Sequence, residues 1–500
     1  MDSEIILSGD LPAATINRRV GAGELVRLAR GVYTDATSEA PERVVRRNVT
    51  ELAGRLFDRA VITDRSGPSA GPVDGILYLA YPGRERVVDL PGVTIAARTG
   101  AAPQKDDIAL PGGVALASKA RWMAENVMPS RTSARLGRRR LTTDELANWI
   151  DITIQIEGAD RMRQTRARAD ELAASLGVSD EDIIRFDRLV GVALNTTTVR
   201  NAPRVLTARG AGQPFDPRRV GRFDTLAAAL RHAQPQSRPA NHGESLPFFE
   251  AYFSNYIEGT TFTIDEALEI VYDNVEPRGR PADAHDITST FAITNDRTEM
   301  ARRPASTKEF LDLLRERHAR IMSARPEIAP GEWKTIPNQA GGTVFADPAL
   351  VVGTLTEGFA RIDALDSPWE RALMSGYVVS EVHPFADGNG RISRLMMNSE
   401  LEGGGESRII IPTVFRDDYI GGLRQLSRND EAGVYVKAMR IGQDWTNAVD
   451  FSDLNSAIEE LRSLNAFVDD GSARLLMPAR FAGAPSTEFD EQARVSRRRR

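Results

Sequence analysis

The segment from Ser367 to Arg394 constrains the fold most, because it specifies two helices joined by a short polar loop. Ser367-Pro-Trp-Glu370 is a capping box with proline at the first helical position, which predicts a helix start. The apolar residues that follow recur at helical spacing and predict a core helix. Pro384, Gly388 and Gly390 interrupt this pattern, and helical spacing resumes after them. The predicted geometry is therefore helix, tight loop, helix.

The loop carries residues suited to binding phosphate. Gly388-Asn389-Gly390 precedes a helix N-terminus, where exposed backbone N–H groups and the helix dipole favour an anion. Arg391 and Arg394 are three residues apart, so both guanidinium groups can extend from one helix face towards the same polyphosphate. The segment is thus predicted to be a phosphate cradle.

Three other residues of the loop suggest catalysis. Asp387 offers the hard oxygen ligand that Mg²⁺ prefers when it bridges phosphates. His383 is the loop's only histidine and can accept a proton near neutral pH. Phe385 is its only large apolar side chain and is expected to anchor the loop to the core. Taken with the phosphate cradle, the loop therefore predicts a nucleotide, a metal ion and a general base.

A plainer interpretation is a helix cap followed by an ordinary turn or a calcium-type loop. However, the eight specified residues of His383-Pro-Phe-x-Asp-Gly-Asn-Gly-Arg391 would occur by chance with a probability on the order of 10⁻⁸. The catalytic interpretation is therefore favoured.

The loop resembles the core motif of the Fic (Fido) family, HPFx(D/E)GNGRxxR, and matches it at every specified position from His383 to Arg394. The resemblance implies an all-α bundle with a β-hairpin flap, and transfer of AMP from ATP to a protein hydroxyl. It implies that His383 is the base, that Asp387 holds Mg²⁺, and that ATP is bound by Gly388, Asn389, Gly390, Arg391 and Arg394. Relatives that phosphorylate carry Lys in place of Gly390, so the AMP-transferring branch is expected.

A second segment, Ser254-Asn-Tyr-Ile-Glu-Gly259, fits the family's inhibitory pattern (S/T)xxxE(G/N). Ser254 and Glu258 are four residues apart on one predicted helix face, and Gly259 would end that helix. By resemblance, Glu258 would pair with Arg394 and displace the γ-phosphate. The alternative is an ordinary surface helix with a solvated glutamate.

The residues Gly341-Gly-Thr-Val-Phe345 predict a hairpin, because turn glycines precede β-branched and aromatic residues. The hairpin lies where the family has its flap, which aligns a target backbone by strand addition. Target docking is therefore assigned to Thr343, Val344 and Phe345.

Composition limits the class of protein. The 500 residues are 41% hydrophobic and 27% charged and contain no cysteine, which excludes disulfide scaffolds, thiol catalysis and iron–sulfur clusters. There is no stretch of about 18 apolar residues and no signal-peptide pattern, so a soluble, cytoplasmic protein without a membrane partner is expected.

Charge is distributed unevenly along the chain. Residues 1–250 carry 35 Lys and Arg against 31 Asp and Glu, whereas residues 251–500 carry 29 against 39. The net negative charge of the whole chain argues against nucleic-acid binding as its main role. The net positive charge of residues 1–250 is compatible with a local nucleic-acid-binding module.

The N-terminal part reads as a helix, Ala13–Val20, followed by a small β-wing. This predicts a winged helix-turn-helix with Asn17, Arg18 and Arg19 on the recognition helix and Arg27 and Arg30 on the wing. The alternative is an α/β unit with a solvated basic face. The run INRRVGAGELVRLARGVYT at 16–34 is followed by an α/β unit that contains DLPGVTI at 89–95. With these segments, residues 1–130 resemble abortive-infection type IV antitoxin-like regulators, which implies DNA or an antitoxin-like protein as partner.

Four regions follow from these patterns: an α/β region at 1–130, a helical region and linker at 131–240, a Fic domain at 245–450, and a C-terminal helix with a disordered basic tail at 451–500. The inhibitory helix is placed at 248–259 and the core motif at 383–394. The predicted function is protein adenylylation at Tyr, Thr or Ser, restrained by Glu258. Removal of AMP, and a DNA-binding regulator of toxin–antitoxin type with the Fic domain as effector, remain alternatives. The oligomeric state is open, a homodimer included.

Overall fold

The computed structural model describes residues 4–233 and 237–480. The chain divides into two units, Met1–Gly212 and Gln213–Arg500, and helices predominate, so the fold is mainly α. Among the described residues, no helix is both long and apolar enough to cross a bilayer.

The first unit combines two small sheets and a hairpin with helices. Its strands are β1 (Ile5–Leu7), β2 (Val26–Ala29), β3 (Val32–Thr34), β4 (Val61–Ile62), β5 (Ile76–Tyr81), β6 (Arg86–Leu90), β7 (Val93–Thr99), β8 (Ile108–Ala109), β9 (Ala115–Leu116), β10 (Thr132–Ser133) and β11 (Gly137–Arg138). Its helices are α1 (Ala13–Gly21), α2 (Pro41–Arg47), α3 (Val49–Leu56), α4 (Lys119–Val127), α5 (Thr143–Glu157), α6 (Ala159–Leu176), α7 (Asp180–Ala193) and α8 (Arg204–Gly210).

The larger sheet has the strand order β6-β7-β5-β4-β9-β8 and is parallel at the β5–β7 and β4–β9 pairs. Strand β5 is central and is buried along four consecutive residues, as expected for a strand covered on both faces. Leu52 of α3 shares a buried core with Leu77 and Ile95 of the sheet. Apolar burial thus explains why α3 packs on this sheet.

The N-terminal residues differ from a winged helix-turn-helix. The predicted helix and wing are present as α1 and the β2–β3 hairpin, and β1 adds a third strand with the order β1-β3-β2. The described residues before α1 form this strand and a turn. A helix-turn-helix requires a helix before the recognition helix, and these described residues contain none. Asn17, Arg18, Arg27 and Arg30 are exposed and Arg19 is partly so. DNA binding by this region therefore stays a prediction.

The second unit is a helical bundle with one short hairpin among its described residues. Its helices are α9 (Pro217–His232), α10 (Leu246–Ile257), α11 (Ile264–Tyr272), α12 (Pro281–Thr294), α13 (Arg297–Met300), α14 (Thr307–Ile321), α15 (Val351–Asp363), α16 (Pro368–Val382), α17 (Asn389–Gly403), α18 (Arg416–Asn429), α19 (Ala432–Ala448) and α20 (Leu454–Ser463). The hairpin strands are β12 (Gln339–Ala340) and β13 (Thr343–Val344).

Helices α16 and α17 pack against each other at the centre of this unit. The capping box predicted at Ser367 and Glu370 is formed and begins α16. Gly376 permits close approach, because a Cβ there would lie 3.2 Å from the Cβ of Met397. Ser393 donates to the Gly376 carbonyl oxygen across 2.7 Å. The two helices therefore hold the intervening loop between fixed ends.

The boundary between the units lies at Gly212, ahead of the one predicted near residue 240. The stretch 233–243 is rich in Pro and Gln and resembles a linker, yet α9 before it packs on α15 and α16. Beyond it, the Arg238 carbonyl oxygen accepts from Ser407 N at 2.8 Å, and Ala240 N donates to Gly405 O at 3.1 Å. Residues 213–233 and 237–240 are thus part of the helical bundle.

Helix α20, after residue 450, also packs into this unit. Ile458 and Leu461 of α20 join a buried cluster with Phe249 and Trp445. The tail predicted for Ala482–Arg500 lies outside the described residues.

Candidate active site

The loop between α16 and α17 is held closed by its own side chains. Helix α16 ends at Val382, and His383 caps it with a left-handed backbone at φ of 54°. Gly388 caps the start of α17 with φ of 74°. Asn389 Nδ2 donates to the Phe385 carbonyl oxygen at 2.9 Å, and its Oδ1 accepts from Phe385 N at 2.8 Å. The buried Asn389 side chain therefore fixes the loop and does not extend outwards from it.

Phe385 anchors this loop, as its apolar character predicts. Its buried ring stacks on His318 with centroids 3.8 Å apart and on Trp333 with centroids 5.1 Å apart. His318 Nδ1 accepts from Gly331 N at 2.8 Å, so Nε2 carries the proton and donates to the Asp387 carbonyl oxygen at 3.0 Å. His318 thus supports this loop, a role that the sequence pattern did not indicate.

His383 lies partly buried at the end of α16. Its Nδ1 donates to the Ser380 carbonyl oxygen at 3.3 Å, so in the neutral ring Nε2 keeps the lone pair. Burial lowers the pKa of His383 to about 4, and the nearby Lys334 also lowers this pKa, whereas Glu258 and Asp387 raise it. The imidazole is therefore neutral at pH 7 and able to accept a proton.

The face of this imidazole is covered by the flap. The Phe345 ring stacks on the His383 ring with centroids 3.7 Å apart and an interplanar angle of 4°. Val344 beside it is 62% exposed, and the Thr343 hydroxyl oxygen accepts from Arg428 Nη2 at 2.8 Å. Of the three residues predicted to dock a target, Thr343 and Val344 thus form strand β13, and Phe345, which follows it, contacts His383.

The N-terminus of α17 is occupied by a carboxylate from α10. Glu258 caps the C-terminal end of α10, and Gly259 follows with φ of 93°. A Cβ built on Gly390 would collide with the Glu258 carboxylate, so a larger residue at position 390 would require the flexible Glu258 side chain to shift. The structure thus places a negative group where the backbone of 388–390 and the helix dipole favour an anion.

Arg394 binds both residues of the predicted inhibitory pattern. Its Nη2 donates to Glu258 Oε1 at 2.8 Å and to the Ser254 carbonyl oxygen at 2.7 Å. Its Nε donates to Ser254 Oγ at 3.0 Å. The Arg394 side chain is 5% exposed and that of Glu258 is 25% exposed, so this ion pair is only partly screened by water.

Arg391 has a different partner, contrary to the expectation that both arginines extend towards one polyphosphate. Its Nη1 donates to Asp286 Oδ2 at 2.6 Å, and Asn255 Oδ1 lies 3.4 Å away. Asp286 is fully buried on α12 and also accepts from Arg325 Nε at 3.0 Å. Arg391 therefore forms a buried ion pair with Asp286, which nothing in the local sequence pattern indicated.

Asp387 is exposed beside the cradle, and its Oδ1 accepts from Gly388 N at 2.7 Å. Within residues 4–233 and 237–480, no three His, Cys, Asp or Glu side chains cluster so as to hold a metal ion. A Mg²⁺ ion that is shared with phosphates needs only one or two protein carboxylates. The single carboxylate of Asp387 therefore fits such an ion.

Residues 309–401 match the model of the Fic/DOC family. The protein adenylyltransferase Fic of Drosophila willistoni is 28% identical over 226 residues, which cover 44% of this chain and 45% of that protein. The Drosophila erecta protein of the same name is 28% identical over 228 residues, with the same shares. The chain thus spans about half the length of the curated relatives it matches.

Among solved structures, Fic-1 (aa134–508) from C. elegans aligns at 17% identity over 65% of this chain and 90% of that one, with a TM-score of 0.35. On the family match and the curated relatives, the chain carries a Fic/DOC domain whose matched core is residues 309–401.

Proposed function

We propose that this chain is a protein adenylyltransferase, which transfers AMP from ATP to a Tyr, Thr or Ser hydroxyl of a target protein. The observation that supports it best is the neutral imidazole of His383 in the same short loop as an anion-binding helix N-terminus. The names of the curated relatives agree with this activity.

In the proposed reaction, His383 Nε2 takes the proton of the target hydroxyl. The oxygen then attacks the α-phosphorus of ATP, a new P–O bond forms, and the bond to the β-phosphate breaks. Pyrophosphate leaves with the electron pair of that bond, and the proton on His383 passes to solvent. A positioned base contributes about 10²- to 10⁴-fold to such a step.

The phosphates would lie on the backbone N–H groups of Gly388, Asn389 and Gly390, with Arg394 beside the γ-phosphate. Arg391 would act mainly by holding the start of α17 in place through Asp286. Asp387 would hold Mg²⁺, which when bound offsets the negative charge of the phosphates. Preorganised charge of this kind is the main requirement of phosphoryl-type transfer.

We further propose that the structure represents a restrained state. Glu258 competes with the γ-phosphate for Arg394 and occupies the cradle beside Gly390. ATP in a productive position would have to displace this carboxylate. Removal of Glu258 should therefore raise transfer.

The test is labelling of the protein itself with ATP labelled at either the α- or the γ-phosphate. Wild type, Glu258→Gly, and Glu258→Gly combined with His383→Ala are compared, with His232→Ala in the Glu258→Gly background as a matched control. His232 is exposed at the end of α9, away from the loop. Label from the α-phosphate only, increased by Glu258→Gly and lost with His383→Ala, supports the proposal.

Label from the γ-phosphate would indicate phosphorylation instead. Transfer that survives His383→Ala would refute the role of His383 as base. Release of AMP from a target that is already modified, without forward labelling, would identify the reverse activity.

A further inference from the structure

Arg219 connects helix α9 to both sides of the proposed active site. It lies well before the segment that matches the family model, and its side chain is only 7% exposed. Its Nη1 donates to the carboxylate and to the carbonyl oxygen of Glu381, the latter at 2.8 Å. Its Nη2 donates to the Val344 carbonyl oxygen on the flap at 2.7 Å.

One of these partners belongs to the catalytic helix. Glu381 is two residues before His383, and its side chain is 2% exposed. A buried carboxylate needs compensation, and Arg222 Nη1 supplies a second donor at 2.6 Å. Arg219 and Arg222 therefore share the task of neutralising Glu381.

The other partner belongs to the flap, and Arg222 does not share it. Among the described residues, the bonds of Arg222 go to Glu381 and to Asp430. Val344, whose carbonyl Arg219 holds, immediately precedes Phe345, the residue stacked on His383. A series of contacts thus leads from Glu381 through Arg219, Val344 and Phe345 to the imidazole.

We propose that Arg219 is a positioning residue, which fixes the flap to the end of α16 so that Phe345 stays stacked on the His383 ring. A guanidinium suits this role because its fork presents donors in two directions, whereas an ammonium on the same helix position is a single point charge. The stack restricts rotation of the imidazole and directs Nε2 to one side. The effect on AMP transfer rests on the proposed function, but the geometry does not.

A merely structural role predicts a different outcome. If Arg219 only neutralised Glu381, Lys at position 219 would serve as well as Lys at position 222, because both retain the charge. If Arg219 positions the flap, only Arg219→Lys should disturb the stack. The two variants are therefore a matched pair on one helix, because both keep the charge and both face Glu381. Each arginine also lies near one further carboxylate, Asp216 for Arg219 and Asp430 for Arg222.

The first measurement is the ¹H–¹³C NMR spectrum of the histidine rings of the full chain. The chain has only five histidines, and His383→Ala assigns the signal. In wild type, the stacked Phe345 ring should shift the His383 ring protons upfield. We expect Phe345→Leu to abolish this shift, Arg219→Lys to reduce it, and Arg222→Lys and Phe345→Tyr to retain it.

The second measurement is AMP transfer in the Glu258→Gly background. Arg219→Lys should lower kcat by about 10- to 100-fold with little change in the KM for ATP, because a small misplacement of a catalytic group has effects of this size. A wild-type His383 signal in Arg219→Lys, or an equal loss in Arg222→Lys, overturns the proposal. If no variant transfers AMP, the proposed function fails, and the spectra still decide the role of Arg219.

Discussion

The contact between Glu258 and Arg394 allows a quantitative test of restraint. The pair is a single charge-assisted hydrogen bond of 2.8 Å between side chains that are 25% and 5% exposed. Hydrogen bonds to charged groups contribute about 1.5–3 kcal/mol, and under the proposed function ATP has to displace this one in order to reach Arg394. Since 1.4 kcal/mol is tenfold in affinity, removing the carboxylate should lower the Kd for ATP by about 10- to 150-fold.

Two substitutions separate charge from bulk. Glu258→Gln keeps a side chain of the same shape beside Gly390 but removes the charge, whereas Glu258→Gly removes both. We expect the Gln variant to gain part of the affinity and the Gly variant the full amount. Glu276→Gln is the control, because Glu276 is an exposed residue of the loop after α11.

The assay is isothermal titration calorimetry of ATP with Mg²⁺, combined with thermal unfolding. Without ATP, Glu258→Gly should melt at a lower temperature than wild type, because the nearly buried Arg394 loses its carboxylate partner. With ATP, the difference in Tm should diminish or reverse, since a ligand that binds the folded state stabilises it. A Kd for ATP within twofold of wild type in both variants would refute the competition between Glu258 and ATP.

Three further predictions concern stability. Burial holds the pKa of His383 near 4, below the 6.5 of an exposed imidazole, so the unfolded chain binds this proton first on acidification. The free energy of unfolding should fall between pH 6.5 and pH 4, and it should fall less in His383→Ala. Urea denaturation at pH 7 and pH 5 measures this fall, and an equal fall in wild type and variant would contradict the prediction. Asp286→Ala should destabilise the chain by about 3–5 kcal/mol, because it leaves Arg391 buried and unpaired, and urea midpoints unchanged from wild type would argue against this pairing. Asn389→Ala should lower the free energy of unfolding by about 1–3 kcal/mol, because the hydrogen bonds to the Phe385 backbone are lost, and urea denaturation measures this. Hydrogen exchange at Phe385 N is the local check, and unaltered protection there would count against closure of the loop by Asn389.

The helix–loop–helix geometry was predictable because its signals are local. A capping box begins α16, Pro384 and Gly388 prevent the helix from continuing, and regular apolar spacing defines α17. These devices act within a few residues, so their effect does not depend on the rest of the fold. The position of Ser254 and Glu258 at the end of α10 is of the same kind, since it follows from helical spacing.

The partners of the two arginines were not predictable. Arg391 and Arg394 have the same local spacing, but Asp286 lies 105 residues from Arg391 and Glu258 lies 136 residues from Arg394. Helical periodicity states which face a side chain occupies, not which distant element covers that face. The pairing of Arg394 with Glu258 could be anticipated only through family resemblance, and the pairing of Arg391 with Asp286 had no such aid.

The boundary predicted near residue 240 differs from the observed one at Gly212 for another reason. Composition alone suggested a linker, because Pro, Gly and Gln are frequent in solvated segments. The backbone of Arg238 and Ala240 is instead paired with residues 405–407, and α9 before it supplies Arg219 to the flap. A segment can have the composition of a linker and still pack tightly when its backbone groups find partners on a neighbouring element.

The side chains of the motif are held by different partners, and this difference indicates how the proposed restraint would be relieved. Arg391 is held by a buried carboxylate and Asn389 by the loop backbone, so neither is released by a small motion. Arg394 is different, because Ser254 can keep its hydrogen bonds to the guanidinium while the partly exposed Glu258 side chain turns away. Release of a single side chain at the end of α10 would then open the cradle at Gly390 and free one face of Arg394. On the proposed restraint, rotation of Glu258 about its own side-chain bonds would therefore free the site without displacement of α10 or α17.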